Sequence, residues 1–227
     1  MRSSVRALVV GTVLATASSA CIIDWDSIRG GVDAGPDVGV ADAADAGDTR
    51  AETSTCPPKL LINELQLSGP LGPSDEFLEL RNDSNCTGSL AGFELRYSSA
   101  GGSSPLAVWT GTTETIAPKG YAVIGGKSFQ NQTNLVGRWK DTADTGNGVL
   151  GATGGGIGLF GPDLLLVDSV AWETLTNKQH PFLKPQGGAG APNPGTNKSI
   201  ARTPDGTDTQ TNATDFKVAT PTPGAAN

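Results

Sequence analysis

Phe93-Glu94-Leu95-Arg96-Tyr97 is the stretch that decides the fold of this chain of 227 residues. Its apolar side chains alternate with charged ones, which is the pattern of a strand with one buried face. Further short apolar runs are separated by clusters of Gly, Pro, Asn and Ser, as in all-β sandwiches. These runs predict strands at 60–67, 76–81, 106–110, 121–124, 157–160, 164–172 and 199–203. The chain is therefore predicted to be all-β, with little helix.

Two stretches between predicted strands are long for loops in a compact domain. They cover residues 125–152 and 174–198, and the second is rich in Gly and Pro. Long ordered loops on a rigid scaffold often carry binding sites, whereas others only decorate the surface. The sequence leaves both possibilities open for these two loops.

The N-terminus has the pattern of a secretory signal peptide over residues 1–20. Arg2 and Arg6 give it a positive start, and the apolar run that follows is too short to span a bilayer. Small residues then lead into Cys21, which resembles the lipobox of bacterial lipoproteins. Acylation of Cys21 would anchor the exported chain at the outer membrane or its periplasmic face. The alternative is an ordinary signal peptide in which Cys21 has no role.

Residues 21–55 are predicted to form a lipidated N-terminus and a disordered acidic tether. Positions 22–55 hold seven Asp and one Glu against two Arg, among mostly small residues. Such a segment cannot bury enough apolar surface to offset its ordering entropy. Most of the net charge of −7 lies here, so the remaining domain is only slightly acidic. Nucleic acid is not expected as a partner, because a phosphate backbone requires a basic surface.

Cysteine usage fits an exported protein. If Cys21 is acylated, Cys56 and Cys86 remain as a pair, and an even pair in an oxidising compartment predicts one disulfide. The alternative is two buried free thiols. The bond would join the start of the predicted domain, residues 56–227, to a turn after its second strand.

Asp168 is predicted to face the core. It is in phase with Leu164, Leu166, Val170 and Trp172 along one strand. A buried carboxylate requires a cation or several N–H donors. Arg202, on the last predicted strand, is the candidate partner for a structural buried ion pair. A functional role for Asp168 is the alternative.

Four acidic residues crowd two neighbouring predicted strands and are weak candidates for a metal site: Glu64, Asp75, Glu76 and Glu79. Ca²⁺ binds through several oxygen ligands, which makes such a site conceivable. Acids on a sheet surface also commonly meet Lys or Arg across strands. Asp141, Asp144 and Asn147 form a similar, weaker group in the first long loop.

Motifs for catalysis or cofactor binding are weak. Residues 146–151, Gly-Asn-Gly-Val-Leu-Gly, match the dinucleotide fingerprint in letters, but no helix pattern follows them. His180 is the single histidine, and the chain has no Gly-x-Ser-x-Gly turn for a serine nucleophile. The sequence therefore predicts neither catalytic residues nor a cofactor.

Several stretches, in order along the chain, resemble the lamin-tail domain family. They are Leu-Ile-Asn-Glu-Leu (61–65), Asp-Glu-Phe-Leu-Glu-Leu-Arg-Asn (75–82), Leu-Ala-Gly-Phe-Glu-Leu (90–95), Ile-Ala-Pro-Lys-Gly-Tyr-Ala-Val (116–123), Leu-Val-Asp-Ser-Val-Ala-Trp (166–172), Ser-Ile-Ala-Arg (199–202) and Thr-Pro-Gly-Ala-Ala-Asn (222–227). The resemblance implies an immunoglobulin-like β-sandwich. It also implies an accessory module of secreted proteins rather than an enzyme.

The function expected from these observations is a lipid-anchored binding or scaffolding module of the cell envelope, without catalytic activity. Its expected partners are the membrane, through the anchor, and an envelope or extracellular protein or polysaccharide. Two rivals remain: a metal-dependent hydrolase that uses the acidic residues, and a purely structural envelope protein.

Overall fold

A computed structural model describes residues 57–227, except 174, 176 and 178. The predicted signal peptide, the tether, Cys21 and Cys56 lie outside these residues, so the acylation and the Cys56–Cys86 disulfide stay predictions. The strands are β1 (Leu60–Gln66), β2 (Phe77–Asn82), β3 (Gly88–Ser89), β4 (Glu94–Ser99), β5 (Leu106–Thr110), β6 (Thr115–Ile116), β7 (Tyr121–Gly125), β8 (Leu135–Arg138), β9 (Gly155–Phe160), β10 (Leu166–Trp172), β11 (Ser199–Arg202) and β12 (Phe216–Ala219). Helix is confined, in this part of the chain, to a 3-10 turn (Lys184–Gln186) and α1 (Asn212–Asp215).

The domain is an all-β sandwich, as predicted. One sheet has six strands in the order β12-β11-β1-β2-β7-β8, and the other has four in the order β10-β9-β4-β5. A two-stranded ribbon joins β3 and β6. Neighbouring strands are antiparallel except β7 and β8, which are parallel.

The core lies between the two large sheets. Leu95 of β4 is fully buried there, and Phe93 and Tyr97 pack against the same cluster, so the alternation that predicted this strand is confirmed. The opposite sheet contributes Ile62 and Leu78, both fully buried. A smaller cluster on the outer face of the six-stranded sheet contains Phe77, Val123 and Phe129.

Residues 125–152 were expected to be loop, and this expectation is wrong for residues 135–138. They form β8, which pairs in parallel with β7, so that Leu135 packs on the outer cluster. The pair Leu135-Val136 is too short to signal a strand, and it is held by backbone hydrogen bonds to β7. Strands β3, β6 and β12 were also missed, because each has only two to four residues and is too short to show an alternation.

Strand β9 begins at Gly155, two residues before the predicted strand 157–160. Gly156 and Gly158 lack side chains at places where aromatic rings approach the sheet closely. A Cβ on Gly156 would lie 2.7 Å from Cε1 of His180, and one on Gly158 would collide with the ring of Phe182. The glycines therefore let the segment containing His180 and Phe182 pack flat on the four-stranded sheet. No helix in the described part of the chain has the length and apolar character needed to cross a bilayer.

We expect Gly158→Ala to destabilise the domain by about 1–3 kcal/mol, because the added methyl group overpacks the contact with Phe182. Gly101→Ala is the matched control, since a Cβ there meets no atom within 4 Å. Thermal melting of the two variants tests this. Equal melting temperatures would contradict the close packing of Phe182 on β9.

Candidate functional site

Asp168 and Arg202 form a buried ion pair that joins the two sheets. Nη2 of Arg202 lies 3.1 Å and 3.0 Å from the two carboxylate oxygens of Asp168, and both side chains are almost fully shielded from solvent. The carboxylate also accepts hydrogen bonds from the N–H groups of Ile62, at 2.8 Å, and Ser169, at 2.7 Å. Burial raises the pKa of Asp168 to about 6, although Arg202 opposes this shift.

The remaining donors of Arg202 are also satisfied. Nε donates to the carbonyl of Ile62 at 2.8 Å, and Nη1 donates to the carbonyl of Thr207 and to Asp215. The guanidinium lies 4.6 Å from the ring centre of Phe216. This one side chain therefore contacts β1, β10, α1 and β12, and its role is structural.

The reasoning that placed Asp168 in the core was only partly right. Leu164 and Leu166 were expected to point inward with it, but they are 56% and 38% exposed. A β-bulge between Leu166 and Asp168 shifts the register against β9, so the alternation does not continue across it. The inward phase holds only from Asp168 to Trp172.

The structure separates the four acids considered as metal ligands. Glu64 and Glu79 are cross-strand neighbours on the outer face of the six-stranded sheet. Glu76 lies on the core side, where its carboxylate accepts hydrogen bonds from Val149 and Leu150. Asp75 caps a turn by accepting from the N–H of Leu71. Among the described residues, no group of three or more His, Cys, Asp or Glu is arranged to hold a metal ion.

Glu64 and Glu79 hold the C-terminal tail against the sheet. The N–H of Thr222 lies 3.2 Å from both carboxylate oxygens of Glu64, and the N–H of Gly224 donates to Glu79 at 2.7 Å. Glu79 also accepts from the side chain of Asn63 at 2.9 Å. Burial, together with the neighbouring acid Glu64, raises the pKa of Glu79 to about 8.

Residues 146–151, which match the dinucleotide fingerprint in letters, donate their N–H groups within the protein. Gly146 donates to Asp144 at 2.9 Å, and Gly148 donates to the hydroxyl of Ser74 at 3.2 Å. The next two N–H groups bind Glu76, whose pKa burial raises to about 8. Groups that would cradle a phosphate in a nucleotide-binding loop are thus engaged by internal acceptors. Asp141 and Asn147 are exposed beside them.

His180 has a structural environment. It is fully buried, its Nε2 lies 3.1 Å from the carbonyl of Ser99, and its Nδ1 accepts from the N–H of Phe182 at 3.2 Å. Burial lowers the pKa of His180, so the ring is neutral with its proton on Nε2.

The first long loop encloses a cavity with the edge strand β5, and sequence reasoning did not find it. The cavity has a volume of about 470 Å³. Its lining residues are mostly apolar: Tyr97, Leu106, Ala107, Val108, Thr142, Ala143, Gly148 and Val149. This volume lies within the range of small-ligand pockets, about 300–1,000 Å³. The second long loop lines another cavity, of about 310 Å³, beside Glu173 and Leu183.

The cavity beside β5 has fixed walls. The Tyr97 ring stacks on Trp172 with ring centres 6.2 Å apart, and its hydroxyl accepts the N–H of Gly151 at 3.1 Å. The N–H of Val149, another lining residue, donates to the carboxylate of Glu76. Strand β5 is hydrogen-bonded to β4 on one side, and only part of its other edge is covered, by the N–H of Lys140 on the carbonyl of Val108. The arrangement can hold an apolar group without rearranging the sandwich.

Asp168→Ala should destabilise the domain by about 3–5 kcal/mol, because it leaves the Arg202 guanidinium buried without its main counterion. The control is Asp163→Ala, at an exposed position in the loop between β9 and β10. It should change stability by less than about 1 kcal/mol. Denaturant unfolding of both measures the difference. Equal unfolding midpoints would show that the ion pair contributes nothing.

Stability should fall as the pH rises from 6.5 to 8.5. The folded state retains protons on Glu76 and Glu79 that the unfolded chain, with ordinary carboxyl pKa values, has already lost. We expect a loss of about 4 kcal/mol, about 2 kcal/mol for each acid, seen as a drop of roughly 8–16 °C in melting temperature. His180, whose pKa burial lowers, adds a smaller change of opposite sign at the lower end of this window, because the unfolded chain binds more proton there than the folded one.

The matched variants for the pH test are Glu76→Gln with Glu79→Gln, which should flatten the profile, and the largely exposed Glu114→Gln, which should leave it unchanged. A profile that rises with pH would contradict the pKa shifts of both buried acids.

Comparison with known proteins gives a distant likeness among solved structures. No family model matches the chain, and no curated protein matches it. Among solved structures, it is similar to the crystal structure of a DUF4876 family protein from Bacteroides thetaiotaomicron VPI-5482, at 14% identity and a TM-score of 0.46, over 72% of each chain. The lamin-tail resemblance therefore stays a prediction that rests on the sequence motifs.

Proposed function

We propose that this protein is a binding or scaffolding module of the cell envelope, exported and anchored by lipid on Cys21, without catalytic activity of its own. Its ligand site is the cavity between β5 and residues 142–149. The ligand is an envelope or extracellular protein, bound through an apolar segment, or a polysaccharide. The immunoglobulin-like, lamin-tail assignment belongs to the same proposal.

The cavity of about 470 Å³ is the observation that carries this proposal. It combines an aromatic side chain, Tyr97, with aliphatic groups, and Leu106 at its mouth is 72% exposed. An edge strand next to an apolar groove is a surface to which extended chains can add. The walls are held by hydrogen bonds already present, so little ordering entropy would oppose binding.

The two rivals predict different surfaces. A metal-dependent hydrolase would use the acidic residues, yet Glu64, Glu76 and Glu79 each accept backbone N–H hydrogen bonds in the described part of the chain. A purely structural envelope protein would have no use for the cavity. The hypothesis of a binding module is favoured because it uses a groove in which a predicted long loop meets the edge strand β5.

Capture from envelope extract tests the proposal. The immobilised mature chain should retain a ligand, and Thr142→Trp, which places an indole at the cavity mouth, should reduce capture at least about tenfold. Val218→Trp, at an exposed position of β12 in the other sheet, is the control and should capture as well as the parent. Equal capture by both variants would remove the cavity from the proposal, and no capture by the parent would favour the structural rival.

The melting temperature measured with and without Ca²⁺ or Mn²⁺ distinguishes the binding module from the metal-dependent hydrolase. The binding-module proposal expects no stabilisation by either ion. A rise in melting temperature that disappears in Glu79→Gln would instead support the metal-dependent rival.

A further inference from the structure

The turn between β9 and β10 exposes four consecutive apolar side chains, Leu164, Leu165, Leu166 and Val167. Their exposed fractions are 56%, 67%, 38% and 45%. Leu165 and Leu166 are successive residues at the start of the strand and point to opposite sides, so each side of this hairpin end carries an exposed apolar side chain. Contiguous exposed apolar surface of this kind marks a protein or membrane contact.

The backbone of this hairpin end also has an unusual conformation at Leu164. Leu164 has a φ of 62°, in the left-handed region where Gly or Asn is usual and a bulky side chain is strained. The turn is nevertheless fully formed, since the N–H of Gly161 donates to the carbonyl of Leu165 and the N–H of Leu165 donates to Asp163. Strain of this type is characteristic of functional sites.

The rest of the hairpin is held rigidly. Asp168 is fixed by Arg202, and Val170 and Trp172 are fully buried in the core. The bulge between Leu166 and Asp168 separates the buried half of β10 from its exposed beginning. The four side chains therefore project from a strand whose other half is packed in the core.

We propose that this apolar row, residues 164–167, inserts shallowly into the lipid leaflet that holds the acylated Cys21. The proposal rests on the lipid anchor of the proposed function and goes beyond its ligand site. A flat protein surface would cover one side of the hairpin, whereas the acyl-chain boundary of a bilayer surrounds both. The contact gives the domain a defined orientation on the membrane.

The chain outside the described residues supports a membrane as the occupant. Thirty-five residues, 22–56, separate Cys21 from Pro57. A chain of this length spans at most about 125 Å even when fully extended, so an anchored domain stays within that distance of the leaflet. Tethering raises the effective concentration of the domain at the leaflet, which favours a contact that would be weak between free molecules.

The charges near the apolar row predict how deeply it inserts and which lipid headgroups it prefers. Residues 161–167 contain no Lys or Arg, and their single charge is Asp163 at the turn. The row therefore lies along the interface with Asp163 among the headgroups, and anionic lipid should not strengthen the contact. Binding should be insensitive to salt, unlike that of a basic patch.

Tryptophan fluorescence of the acylated mature chain in phosphatidylcholine vesicles tests the contact. In Leu165→Trp, the emission added over the parent should shift to the blue and be quenched at least about twofold when the acyl chains are brominated. Leu106→Trp is the control, because Leu106 is equally exposed on a different edge strand, and its added emission should not be quenched. Adding Leu164→Gly to Leu165→Trp should abolish the quenching while leaving the melting temperature equal or higher.

The outcomes separate this inference from the proposed function. Protein that carries no lipid on Cys21 and stays in solution would remove the anchor itself. Anchored protein whose Leu165→Trp indole is not quenched would overturn the hairpin contact and leave the anchor in place. A blue shift that grows with protein concentration and occurs without quenching would assign the row to a second copy of the chain, which also overturns it.

Discussion

The ion pair of Asp168 and Arg202 is the interaction on which the rest of the sandwich depends. It is the polar link between two sheets that otherwise meet through apolar side chains. A buried pair of this kind adds little net stability over an apolar contact, but either partner alone is very costly. Because Arg202 also binds the carbonyl of Ile62 and the carboxylate of Asp215, alternative registers of β11 would leave several buried groups unpaired. The pair therefore acts mainly by selecting one arrangement of strands.

Buried acidic side chains fix the conformation of the loops by accepting hydrogen bonds from their backbone N–H groups. A domain with long connections has many backbone N–H groups outside its sheets, and each must find an acceptor when it is buried. Asp144 and Glu76 accept such groups from the first long loop, and Glu64 and Glu79 accept them from the C-terminal tail. The acids that looked like candidate metal ligands are thus internal acceptors. Their consequence for function is indirect, because they fix the loop that forms one wall of the cavity beside β5.

Much of the fold could be predicted from the sequence, since the eight predicted strands all exist and the alternation of Phe93, Leu95 and Tyr97 places that strand on the core correctly. The pairing of Asp168 with Arg202 also follows from the cost of an unpaired buried carboxylate. The spacing of Glu76 and Glu79, three residues apart in one strand, already implies opposite faces and could have separated them. Other features could not be foreseen. The bulge at Leu166, the pairing of β8 and the approach of Phe182 to Gly158 depend on partners distant in sequence. The cavity depends on residues 142–149 meeting β5, which no local pattern records.

The position of β1 within its sheet has a mechanical consequence for a domain held by its N-terminal end. β1 is flanked by β11 on one side and β2 on the other, with antiparallel hydrogen bonds along both edges. A pulling force that enters at Leu60 runs along the strand axis, so it loads both ladders in shear and cannot peel an edge strand one bond at a time. Resistance to extension from Leu60 is therefore built into the order of the strands, which suits the proposed attachment through the N-terminal segment.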